Sequence, residues 1–93
     1  MSQTNQKLSL SVNGQDFDFE ITRAAYNKFV NGFSEKNKTQ PSHNLLMTTV
    51  ATDHKDALRE FLVSTPSADV QLAGHLMEQY IPDLDIVVKK HSN

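Results

Sequence analysis

Between Lys7 and Ile21 two runs of alternating side chains flank the dipeptide Asn13-Gly14, and this arrangement specifies a β-hairpin. Leu8, Leu10 and Val12 share one side of the first run; Phe17, Phe19 and Ile21 share one side of the second. Asn and Gly both tolerate positive φ, as the two central positions of a type I′ turn require. A two-residue turn sets the register. Val12 then faces Gln15, Leu10 faces Phe17, Leu8 faces Phe19, and Lys7 meets Glu20 on the polar side. Turn chemistry and hydrophobic pattern agree, so slippage by one residue is disfavoured. A lone hairpin is marginal in water, so its Leu/Phe face must be covered by helices.

The rest of the chain supplies them. Thr22 is placed to cap a helix carrying Tyr26, Phe29, Val30 and Phe33 at i, i+3, i+4 and i+7, with Asn31-Gly32 near its end. Residues 34–41 are polar and are expected to form a mobile loop. Ser42 is expected to cap a short helix, His43 to Ala51, held by Leu45, Leu46 and Val50. Its β-branched run Thr48, Thr49 and Val50 makes that helix weak by propensity. Asp53 is expected to cap the next helix, with Asp56 in its first turn, ending at Ser64-Thr65-Pro66. Ser67 is expected to cap the longest helix, running to Ile81. Gly74 in its middle costs about 1 kcal/mol relative to Ala, which a close crossing would explain. After Pro82-Asp83, Leu84, Ile86 and Val88 alternate as a third strand.

The expectation is therefore a single α+β domain over residues 1–93. It consists of an N-terminal β-hairpin, four short helices and a C-terminal β-strand, with the helices on one face of a small sheet. Residues 1–6 and 91–93 are expected to be disordered. The helix pair Asp53 to Ile81 serves as scaffold. A compact chain of this length has a radius of gyration of about 12 Å, with little room for an enclosed cavity.

Composition excludes several kinds of chemistry. The chain has no cysteine, so disulfides, thiolate zinc sites and cysteine nucleophiles are ruled out. A formal charge of −2 gives no cationic surplus for a phosphate backbone, so no nucleic-acid partner is expected. No apolar run is long enough to span a membrane, and the first residues lack the apolar core of a secretion signal.

Catalytic, metal and cofactor sites are expected to be absent. No two of His43, His54, His75 and His91 stand at i, i+4. Asp53, His54 and Asp56 are better explained as caps than as metal ligands, and His75 as a packing residue beside Gly74. Glu60, Glu78, Asp83 and Asp85 suit a solvated surface. Lys28, Lys36 and Lys38, interleaved with Glu35, Asn37 and Thr39, do the same. No glycine-rich phosphate loop or nucleophile elbow occurs.

Three stretches resemble the phage tail assembly chaperones, small proteins of tailed bacteriophages and prophages. They are Tyr26-Asn27-Lys28-Phe29-Val30-Asn31, Pro41-Ser42-His43-Asn44-Leu45-Leu46, and the end from Tyr80 to Lys90. The likeness extends over roughly residues 15–90. It implies a non-enzymatic role: binding the tape measure protein, keeping its apolar helical segments soluble, and assisting tail tube polymerisation by recruiting tail tube protein. It also implies action in the host bacterial cytoplasm and absence from the mature virion. In many such phages a longer form arises by ribosomal frameshifting, and Lys89-Lys90 would supply A-rich codons for it. Leu46, Met47 and Val50 are the expected protein-binding residues, since a soft methionine suits an adaptable apolar wall. An open sheet edge also permits self-association. The alternative is a small phage-encoded inhibitor or adaptor that binds a host protein.

Overall fold

A computed structural model describes residues 5–80 and 87–90. The hairpin comprises β1 (Gln6–Val12) and β2 (Gln15–Ile21), antiparallel in the register expected from the turn, with Val12 opposite Gln15 and Lys7 opposite Glu20. Asn13 (φ 52°) and Gly14 (φ 82°) make the turn left-handed at both positions. The helices follow as α1 (Arg23–Gly32), α2 (Thr39–Thr49), a 3-10 turn (Thr52–His54), α3 (Lys55–Ser64) and α4 (Ala68–Tyr80).

The two strands are buried unequally. Phe17, Phe19 and Ile21 of β2 are at most 2% exposed, whereas Leu8, Leu10 and Val12 of β1 are half-buried. The cause lies at the two edges. Among the described residues β1 has no strand paired to its outer edge. The far edge of β2 is closed by the residues after α2. Val50 bridges Phe19 in antiparallel fashion, and the Ala51 N–H donates to the Asp18 carbonyl at 2.7 Å. The Asp18 N–H in turn donates to His54 Nδ1 at 3.0 Å. The expected C-terminal strand lies mostly outside the described residues, since residues 81–86 are not among them. Val87 and Val88 are in no regular element and are exposed.

The β-branched run at the end of α2 explains this bridge. Thr48 and Thr49 satisfy their hydroxyls by donating back to the Asn44 and Leu45 carbonyls, at 2.7 and 2.6 Å. Val50 then leaves the helix at ψ 147°, the extended conformation a β-branched residue favours.

The start of α2 departs from expectation. The helix begins at Thr39, so Ser42 is not a cap but a fully buried residue of the first turns, whose hydroxyl donates to the Lys38 carbonyl at 2.7 Å. Pro41 is tolerated because the first N–H groups of a helix have no partner within it. The segment expected as a loop therefore contributes Thr39, Gln40 and Pro41 to the helix. The remaining connector closes with paired backbone bonds between Ser34 and Asn37, at 3.1 and 3.2 Å.

The other caps divide. Thr22 Oγ1 accepts the Ala25 N–H at 3.0 Å, as expected. Asp53 lies inside the 3-10 turn and makes no cap to α3; the residue before α3 is His54, whose ring is engaged by Asp18. Ser67 takes φ 59°; its hydroxyl donates to the Pro66 carbonyl and accepts the Gln71 side-chain amide at 3.1 Å, instead of capping a backbone N–H of α4. Gly74 and His75 also differ from expectation. A methyl group at Gly74 would meet nothing within 4 Å, and His75 is exposed, 3.9 Å from Glu78. Both lie on the solvent side of α4, while Leu72, Ala73, Leu76 and Met77 face the core.

The core joins the β2 face to α2, α3 and α4, with Leu46, Leu58 and Leu76 at its centre. Phe17 meets Phe61 and the edge of the His54 ring, both at 6.2 Å between centroids. The radius of gyration is 15.6 Å, above the compact value of about 12 Å.

Two stability measurements check this arrangement. Gly74→Ala should raise the unfolding free energy by about 1 kcal/mol, because the site is open and helical. Phe17→Ala should lower it by about 3–5 kcal/mol through lost burial and a cavity. Denaturant titration of both variants reads the two signs.

Candidate functional interface

The described surface offers a groove between α1 and α2 rather than an enclosed cleft. Ala25, Phe29 and Gly32 form one wall; Pro41 and Leu45 form the other; the cavity is about 310 Å³. The helices approach closely at one end, where the position of a Gly32 methyl group lies 3.4 Å from Pro41 Cγ. The rim is polar. Gln40 Nε2 donates to Asn44 Oδ1 at 3.0 Å, and Lys28 and Asn37 stand on the connector side.

Beside the groove the α1 stripe remains partly uncovered. Phe29 and Tyr26 are half-buried, Val30 is 48% exposed and Phe33 39%. Phe33 meets Phe29, a groove residue, in a tilted ring contact at 5.1 Å between centroids. Tyr26 packs on Tyr80 at 5.2 Å, tying α1 to the end of α4. Periodicity identified this stripe, but periodicity does not say what covers it. Here the described residues cover only one side.

The residues expected to bind protein are distributed differently. Leu46 is fully buried and Val50 is 9% exposed, both in the core. Met47 is half-buried and packs against the core. Of the three, Met47 therefore presents the most side chain to a partner.

A second, larger depression of about 760 Å³ runs along the hairpin end and the Thr48–Thr52 segment. Its walls carry Lys7, Asp18 and Glu20; of its apolar members Phe19 and Val50 are buried, while Leu8 and Ala51 are half-buried. Its polar groups are already engaged with one another, as in the 2.6 Å bond from the Ser9 hydroxyl to Asp18.

One polar contact inside the scaffold was not legible in the sequence. His43 Nδ1 of α2 lies 2.8 Å from Asp69 Oδ2 of α4, and Asp69 is buried. A carboxylate only accepts, so the imidazole donates. The contact spans 26 residues, and no local pattern pairs the two. It holds α2, the second wall of the groove, against α4. Among the described residues no three acidic or histidine side chains gather to hold a metal ion, and no helix is long and apolar enough to cross a membrane.

Comparison with known proteins agrees with the fold. The model of the phage tail assembly chaperone family matches residues 8–90, and the chain belongs to that family. It is 35% identical over 82 residues to an uncharacterised 11.3 kDa protein of Haemophilus phage HP1, covering 88% of this chain and 79% of that one. A solved structure of an uncharacterised protein from Bacillus stearothermophilus shares the fold. Its TM-score is 0.67 at 20% identity, with 90% of each chain covered.

Val30→Asp and Phe33→Asp should change stability by less than about 1 kcal/mol, because neither side chain is buried. His43→Ala should cost about 1–3 kcal/mol by leaving a buried carboxylate without its donor. Thermal unfolding of the three variants, with Asp69→Asn completing a double-mutant cycle, measures these differences.

Proposed function

We propose that this protein is a non-enzymatic chaperone that holds apolar helical segments of the tape measure protein and assists tail tube polymerisation. Family membership supports a role in phage tail assembly. The observation that carries the finer reading is the half-covered stripe Tyr26, Phe29, Val30 and Phe33 beside the α1–α2 groove. Such a stripe would be a solubility liability unless it met a partner. Recognition of an amphipathic helix by an apolar groove with a polar rim is an established mode. Met47 extends the same helix pair with a deformable side chain.

In this reading the chaperone acts in the cytoplasm of the infected host. It binds the tape measure protein before tube subunits polymerise around it, recruits those subunits, and is displaced before the virion is complete. No covalent chemistry is required of it. Exchange of one apolar contact for another is sufficient.

Co-expression with the tape measure protein of the same phage tests the proposal. The tape measure protein should remain in the soluble fraction only when this chain is present. Val30→Asp with Phe33→Asp should abolish that effect while the variant itself stays folded by circular dichroism. Met47→Asp should weaken co-purification. A tape measure protein equally soluble without the chaperone would overturn the reading.

A further inference from the structure

Charge is not spread evenly along this chain. Residues 22–52, which contain α1, the connector and α2, hold Arg23, Lys28, Lys36 and Lys38 against Glu35 alone, a formal +3. The whole chain is −2, so the remainder is −5. The near-neutral total conceals a cationic helix pair on an anionic scaffold.

Three of the cations lie in or next to the groove lining in the chain. Lys28 lines it, and Lys36 and Lys38 flank Asn37, which also lines it. Among the described residues, none of the three lysines has a carboxylate within 4 Å, although ion pairs form elsewhere, as between Arg59 and Asp56 at 2.9 Å. The first turn of α2 contains no acidic residue. The positive end of its dipole therefore adds to the lysine field instead of being neutralised.

The walls restrict what can lie there. Both are helices, whose backbone groups are largely bonded within themselves, so the groove offers side chains and no strand edge. An extended segment would bring unsatisfied N–H and C=O groups onto an apolar floor, whereas a helix brings its own already bonded. The cavity admits a few aliphatic side chains, not a whole helix, as expected for anchors at i, i+3, i+4 and i+7.

Resting on the reading above that this surface holds a partner's helix, we infer that the α1–α2 groove selects amphipathic helices whose apolar stripe is flanked by acidic residues. Apolar contact supplies affinity, and the unpaired lysines supply orientation and discrimination against basic helices.

Two synthetic helical peptides with the same leucine stripe test this, one flanked by glutamate and the other by lysine. Their binding to the full chain is followed by fluorescence anisotropy. Rim pairs of a few-fold each should combine to roughly tenfold tighter binding of the glutamate peptide at low salt. That ratio should shrink as salt screens the rim. The variant Lys28→Glu, Lys36→Glu, Lys38→Glu, folded by circular dichroism, should invert the preference. Phe33→Asp should weaken both peptides. Equal affinity for the two peptides, or a preference that survives the triple reversal, overturns the inference. A single-stranded RNA oligonucleotide that binds more tightly than the glutamate peptide overturns it in favour of a polyanion. If co-expression preserves the tape measure protein but the peptides show no charge preference, the inference falls and the chaperone reading stands. If the preference holds but the tape measure protein is unaffected, the chaperone reading falls.

Discussion

Asp18 is the hinge of the architecture through its backbone alone. Its carbonyl takes the Ala51 N–H, and its N–H goes to the His54 ring. Through these two bonds the end of α2 and the start of α3 are fixed against the far edge of β2. The helices then cover Phe17, Phe19 and Ile21. Each bond contributes only about 1 kcal/mol net. Their greater effect is geometric, because an unpaired central strand would leave buried polar groups without partners. Among the described residues the sheet has two full strands, yet β2 is paired on one side by β1 and on the other by a short piece of backbone and a side chain.

The hairpin was legible because two independent signals, a period of two and an Asn-Gly turn, demand one register. The same held for α1, where Thr22 and the stripe from Tyr26 agree. The beginning of α2 was not legible, because Pro41 reads equally as a residue before a helix and as a member of its first turn. Nor was the end of α2, where Thr48, Thr49 and Val50 serve as helix and then as bridge. Gly74 was read as a sign of close packing, yet it faces solvent; helix period alone does not say which arc is covered.

The candidate interface shows a related limit. Leu46, Met47 and Val50 were selected for side-chain type, and burial separates them: two belong to the core and Met47 keeps surface. The residues left open by the fold, Val30 and Phe33, look like core in a linear pattern. His43 and Asp69 meet across 26 positions, a pairing that no local pattern encodes. The lysines around residue 36 were visible throughout, but their significance depends on the groove beside them and on the lack, among the described residues, of a carboxylate within 4 Å.

Helix α1 contributes no fully buried residue. Its detachment would expose comparatively little of the core, so it belongs to the low-stability end of the molecule's local opening equilibria. The packing of α2 on α4 is held separately by the His43–Asp69 contact. The width of the adjoining cleft is thus governed by a loosely held wall facing a firmly held one. That asymmetry suits successive occupants of differing bulk, each met by a small displacement of one helix instead of a rearrangement of the whole.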